Sequence, residues 1–315
     1  MSKLVIATQF GEIVDKRLAQ ELPEVQWLSL PAGAPASLPP EVNILLSASY
    51  PRDAASPLRV RPAGWPFNLK WVQLISAGID SYPPWVFEVP KVSTGRGVGA
   101  EPIAEYVLAA IFEHAKRLPG LWVKGPEQWR QSSLGMVRDT TLGIVGVGPI
   151  GMALAAKGMA LGMKVQALRR SDAPFPMAGI TRAPSLGDMF AQCDHLVIAA
   201  PATPETRHMV NAEVLARGHR RLHLINIGRG TLVDQTALIA ALDAGQLARA
   251  TLDVTDPEPL PADHPLYSHP KVRISPHTSA ISSYIREALV AKVARNLARY
   301  QAGDDPEDLV RGDLA

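Results

Sequence analysis

Short apolar runs separated by polar, proline-rich connections recur along residues 1–97: KLVIAT, VQWLSL, VNILLSAS and LKWVQLIS. Runs of this length bounded by turn residues read as buried parallel strands, so this stretch is expected to form an α/β unit with its own core. Further on, TLGIV runs straight into glycines, MALAAKGMALGM is composed of good helix formers, and KVQALRR reads as a second strand. Strand, turn, helix and strand at this length make a βαβ unit. HLVIAAPATPETRHMV, RLHLINIGRGTLVDQTALIAAL, ARATLDVTDPEPL and KVRISPHTSA continue the alternation and should extend the same sheet.

Two helices frame this second sheet. GVGAEPIAEYVLAAIFEHAKRL is amphipathic, with Pro102 in its first turn and Glu101 and Glu105 near its positive end. The final SSYIREALVAKVARNLARYQAG has helical spacing and Gly303 just past its end. Its expected buried face is Tyr284, Ile285, Leu289, Val290, Val293, Leu297 and Tyr300, and it is expected to rejoin the first unit. The domains are therefore drawn as 1–97 with 286–315, and 98–285. Residues 119–138 are irregular and carry Trp122 and Trp129, which suit either an arm on a second subunit or burial at home.

Composition narrows the class. The 315 residues are 47% hydrophobic and 20% charged, which describes a globular protein of two ordinary domains. A formal net charge of +2 argues against a nucleic-acid partner. The opening MSKLVIAT lacks the features of a signal peptide, and no window holds about 18 uninterrupted apolar residues, so neither export nor a membrane span is expected. Cys193 is the sole cysteine; it suits a reducing cytoplasm and reads as a buried apolar residue. The histidines show no metal-ligand spacing, and no metal site is expected.

The glycine turn is the first piece of candidate chemistry. Gly146 would make the tight turn, Gly148 would let backbone approach a pyrophosphate, and Gly151 would let the helix that opens at Pro149 and Ile150 pack close to the sheet. Free N–H groups and the helix dipole would then meet the phosphates of a dinucleotide. Pro201, Thr206 and Ile227, at or just past the ends of later strands, join the cofactor set. In the first unit, WVQLISAGID opens a strand into Ala77 and Gly78, whose amides suit a carboxylate, or simply make a strand-to-loop turn.

Arg229, Glu258 and His277 each follow an apolar strand of the second sheet, so all three face the edge where a nicotinamide would lie. Hydride transfer to a 2-oxo acid needs this set. An imidazolium protonates the oxygen, a carboxylate orients the imidazole, and a guanidinium grips the substrate carboxylate while polarising the carbonyl.

GVGPIG at 146–151, INIGRGTLVDQTAL at 225–238, LDVTDPEPLP at 252–261 and SPHTSA at 275–280 together resemble the D-isomer-specific 2-hydroxyacid dehydrogenase family, over nearly the whole chain. AGID at 77–80 and GVGAEPIAEYVL at 97–108 resemble its substrate loop and hinge helix. The resemblance implies that Arg229 binds and polarises substrate, that His277 is the acid/base with Glu258 as partner, and that Asp253 lies near the nicotinamide carboxamide. It also implies a Rossmann-type cofactor domain inserted in a flavodoxin-like substrate domain, a cleft that closes on substrate, and a homodimer.

Arg169, Arg170 and Ser171 stand where members preferring NAD(H) carry an acid, and two guanidinium groups with a hydroxyl suit a ribose 2′-phosphate. NADP(H) is therefore the expected cofactor, with NAD(H) second. In such a family this points to glyoxylate or hydroxypyruvate, while a larger 2-oxo acid such as phenylpyruvate stays open. A phosphoglycerate dehydrogenase, with its further domain, fits less well, and a formate dehydrogenase would carry an amide in place of Glu258. A non-catalytic nucleotide sensor on the same fold is the alternative from another class.

Overall fold

The computed structural model describes residues 4–51, 53, 55–118 and 120–310. Lys3 of the first expected strand, Pro119 of the irregular stretch and the last five residues of the expected first domain lie outside them. The chain divides into two units, Met1–Val98 with Ser282–Ala315, and Gly99–Ile281.

In the first unit, β1 (Val5–Thr8), α1 (Glu12–Glu21), β2 (Gln26–Ser29), β3 (Ile44–Ser47), β4 (Trp71–Leu74) and β5 (Lys91–Ser93) follow one another. The strands pair in parallel in the order β2-β1-β3-β4-β5, the flavodoxin-like order expected. β3 and β4 are buried on both faces, which is why each is apolar but for one buried polar residue, Ser47 and Gln73. β5, Lys-Val-Ser with a single apolar residue, carries no hydrophobic pattern to announce it.

The second unit opens with α2 (Ala100–Lys116), then β6 (Thr141–Val145), α3 (Pro149–Ala160), β7 (Lys164–Leu168), β8 (Ile180–Arg182), α4 (Leu186–Gln192), β9 (His195–Ile198), α5 (Ala212–Ala216), β10 (His223–Asn226), α6 (Gln235–Asp243), β11 (Arg249–Leu252) and β12 (Val272–Ile274). Its seven strands run in parallel in the order β12-β11-β10-β9-β6-β7-β8, a Rossmann-type order with one strand added. The order reverses between β6 and β9. α3 can lie close on the sheet because its glycines face it: a Cβ on Gly158 would meet Leu142 at 2.8 Å. Trp122 and Trp129, 69% and 79% exposed, are not buried at home. Cys193 is buried, and that burial pushes its thiol up to about 12.

The last helix, α7 (Tyr284–Gln301), returns to the first unit and packs Leu289, Val290, Val293 and Leu297 into its core, with Ile285 and Tyr300 at the margin. Tyr284 departs from the expected buried face and stands 51% exposed, because it occupies the first position of the helix, beyond the packed turns. Two polar residues take core positions instead. Asn296 donates to Gln73 Oε1 at 2.8 Å and accepts from the Glu307 amide at 2.8 Å, and Lys292 pairs with Glu307 and Asp308.

His114, His195 and His223 cluster in the second unit, with ring centroids 4.7–6.0 Å apart. Burial, and then the mutual charge of the rings, pushes His195 down to about 4 from 6.5, against a smaller opposing pull from Asp194. His223, hydrogen-bonded to Thr251 Oγ1 at 2.8 Å, moves the same way. These rings stay neutral in the fold while the unfolded chain takes up protons near 6.5, so their contribution to stability is present above that pH and is lost as pH falls toward 4. For His195 alone this amounts to about 3 kcal/mol. We predict that His195→Leu flattens the fall of melting temperature between pH 7 and pH 5; a slope unchanged from the parent protein would refute it.

Candidate active site

The glycine turn leaves β6 at the reversal of strand order, where open α/β sheets bind ligands. Gly146 has φ +102°, and a Cβ there would lie 2.7 Å from the Ala199 carbonyl. A Cβ on Gly151 would lie 2.3 Å from the Gly146 carbonyl oxygen, so strand, turn and helix touch backbone to backbone. Gly148 caps α3 without a side-chain hydrogen bond, and Pro149 and Ile150 open the helix. The N-terminal amides of such a helix are left for an outside acceptor. These features fit a bound dinucleotide phosphate.

Arg169, Arg170 and Ser171 follow β7 directly. Arg182 on β8 donates to the carbonyls of Ser171 and Ala173, at 3.1 and 2.7 Å, and so pins this loop. The Thr203 hydroxyl chiefly, then the backbone amide of Glu205, and in smaller part the charge of Arg170, hold the Glu205 carboxyl below its usual range. Thr206 closes a capping box with Thr203, and its hydroxyl donates to the Pro201 carbonyl at 2.8 Å. Ile227 is buried in the core beside β10.

Arg229, Glu258 and His277 follow β10, β11 and β12, which are neighbours in the sheet. The first two loops touch: a Cβ on Gly230 would fall 2.0 Å from the Thr255 carbonyl, so only glycine lets the Arg229 turn lie there. Asn226 ties that turn by donating to the Arg229 carbonyl at 2.9 Å and accepting from the Gly228 amide at 3.1 Å. Gln235 latches the two loops together through both polar atoms of the Asp256 backbone. His277 Nδ1 stands 3.0 Å from Glu258 Oε2, while Glu258 Oε1 accepts from the Thr255 amide at 3.3 Å. The carboxylate is 17% exposed and the imidazole 38%, so the pair is sheltered on the Glu258 side and open on the other.

His277 adopts the left-handed backbone region, φ +49°, which is unfavourable for a side chain of its size. Its amide donates to the Asp253 carbonyl at 2.9 Å and to the Ser275 carbonyl at 3.0 Å. The Asp253 carboxylate, 2% exposed, accepts from Ser275 Oγ at 2.6 Å, from the Thr278 amide at 2.9 Å and from the Ser279 amide at 3.2–3.3 Å. Tyr106 OH on α2 lies 2.6 Å from Ser275 Oγ. Sequence reasoning missed Tyr106, Ser275 and Asn226; Ser275 sits two residues before His277, but nothing in the pattern of α2 singles out Tyr106.

In the first unit Ala77 and Gly78 lie past the carboxyl end of β4, where Ser76 Oγ donates to the Gly78 carbonyl at 2.7 Å. Among the described residues no group of histidine, cysteine or carboxylate side chains is placed to hold a metal ion, and no helix is long and apolar enough to cross a membrane.

The model of the D-isomer specific 2-hydroxyacid dehydrogenase family, NAD binding domain, matches residues 108–279. The chain belongs to this family. It is 34% identical to the glyoxylate reductase of Korarchaeum cryptofilum over 236 residues, 71% of this chain and 70% of that one. It is 32% identical to the glyoxylate/hydroxypyruvate reductase A of Serratia proteamaculans over 255 residues, 77% and 80% of the two chains. The crystal structure of a D-isomer specific 2-hydroxyacid dehydrogenase from Xanthobacter autotrophicus, in complex with NADPH and MES, is similar at TM-score 0.80 and 28% identity, over 99% and 98% of the two chains. As a 2-hydroxyacid dehydrogenase, the protein is an NAD(P)-dependent oxidoreductase.

The glycine contact offers a direct test of the site's construction. Gly230→Ala should force the Arg229 turn off Thr255 and lower turnover by about 100-fold, the scale of an ångström-sized misplacement. Steady-state rates with a saturating 2-oxo acid, at a temperature where circular dichroism shows the variant folded, measure it.

Proposed function

We propose that this dehydrogenase reduces a small 2-oxo acid, glyoxylate or hydroxypyruvate, to the corresponding 2-hydroxy acid, the D-isomer where the product is chiral, and prefers NADPH to NADH. The observation that carries the reading is the His277–Glu258 pair at 3.0 Å, on loops against which the Arg229 turn packs. With Nδ1 engaged by the carboxylate, Nε2 is the nitrogen that delivers a proton to the substrate oxygen. Glu258 fixes the orientation of the ring. Arg229 grips the substrate carboxylate and polarises the carbonyl. The reduced nicotinamide, when bound, supplies the hydride.

Gly146, Gly148, Pro149, Ile150 and Gly151 would hold the pyrophosphate, and Arg169, Arg170 and Ser171 the 2′-phosphate; Arg182 keeps that loop in shape. Pro201, Thr206, Ile227 and Asp253 complete the proposed cofactor set. The amides of Ala77 and Gly78 keep their proposed role in substrate binding. Support for the substrate class comes from the two reductases to which the chain is similar, and for the phosphate-bearing cofactor from the relative solved with NADPH. We further propose a cytoplasmic homodimer, for which the exposed Trp122, Trp129 and Met136 supply apolar surface.

A substrate panel run with both cofactors tests the reading. Glyoxylate and hydroxypyruvate should be the best substrates and NADPH the more efficient donor. Arg169→Ala with Arg170→Ala should cost NADPH about ten-fold or more in kcat/KM and leave NADH nearly unaffected. Absence of turnover with any 2-oxo acid would favour the sensor instead. His277→Ala should abolish the rate while NADPH still binds, and catalysis surviving that change would remove His277 from the role of acid.

A further inference from the structure

We propose that Tyr106 is a positioning residue for His277, acting through Ser275 and the buried carboxylate of Asp253. The inference rests on the reading of His277 as the proton donor. Ser275 Oγ donates its single proton to Asp253 Oδ1, 2.6 Å away. The remaining capacity of Ser275 Oγ is as an acceptor, and Tyr106 OH at 2.6 Å must then be its donor. Burial raises the Tyr106 pKa by more than the hydrogen bond it shares with Ser275 lowers it, and the charge of Asp253 raises it further; the phenol therefore keeps its proton and its role as donor. The polarity of the chain from Tyr106 through Ser275 to Asp253 is thereby fixed.

At its far end the chain meets the turn that presents the imidazole. Asp253 Oδ1 also accepts from the amide of Thr278, immediately after His277, and both carboxylate oxygens accept from Ser279. The Asp253 carbonyl accepts from His277 itself. The left-handed conformation of His277 persists because this set over-determines it. Tyr106 belongs to α2, packed with α3 and β6 in the core of the same unit, so it refers the turn to a rigid element rather than to a loop. Without the phenol proton, Ser275 Oγ is free to rotate, the carboxylate loses its shortest partner, and Nε2 of His277 wanders from the reacting oxygen.

The test compares Tyr106→Phe, Ser275→Ala, the double variant, Ser275→Thr and His277→Ala in the full-length enzyme. The readouts are kcat and KM with glyoxylate, NADPH affinity by fluorescence titration, and melting temperature. Tyr106→Phe is expected to lower kcat about ten-fold, with NADPH affinity and substrate KM held within about two-fold. Ser275→Ala should do the same, the double variant should be no slower than the worse single one, and Ser275→Thr should restore the rate. A wild-type kcat in Tyr106→Phe, single losses that multiply in the double variant, or a loss shared equally by NADPH affinity would overturn the proposal. Turnover surviving in His277→Ala would instead overturn the functional reading beneath it.

Discussion

A carboxylate removed from water is costly unless its oxygens are filled with donors, and Asp253 is such a group. Its partners are not scattered. Ser275, Thr278 and Ser279 all belong to the one turn that carries His277, so the need to satisfy a buried charge becomes the means of shaping a loop. The strained backbone at His277 and the alignment of its ring on Glu258 both rest on that turn. Asp253 follows β11 directly, in the middle of three neighbouring strands, so the anchor is as fixed as the sheet.

Close backbone approach is the second constraint. At Gly146, Gly151 and Gly230 a single added carbon would overlap a carbonyl group. The first two bring the helix amides to where a pyrophosphate can reach them, and the third lets the arginine turn lie on the glutamate loop. Parallel strands in register deliver all of these loops to one edge; Asn226 stands opposite Leu252, and Leu252 opposite Ile274, so each loop begins at the same level. Three candidate side chains from distant stretches are brought to one edge by having neighbouring strands end together.

The first unit solves a different problem, that of tying down a helix far away in sequence. Gln73 on β4 accepts from Asn296 on α7 and from Ser93 on β5, and Trp71 donates to Ser93. The buried amide of Asn296 thus finds its partner on β4 only when the C-terminal helix is in place, which gives the pairing a specificity that apolar contacts alone lack.

Much of this was legible in the amino-acid sequence. The parallel strands, the glycine turn and the ordered residues Arg229, Glu258 and His277 follow from local pattern, because two-sided burial makes a strand uniformly apolar and strand ends in such sheets face the ligand. The three-residue strands β5 and β8 did not show, since their existence depends on a neighbouring strand offering free hydrogen bonds rather than on their own side chains. Tyr284 read as buried because helical spacing cannot tell where the neighbouring surface stops. Tyr106 read as one apolar position of an amphipathic helix, and only the tertiary structure set its hydroxyl on Ser275. Sequence determined the candidate groups and the strands they follow; the tertiary structure decided what holds them still, because those partners lie as far apart in the chain as Tyr106 and Ser275.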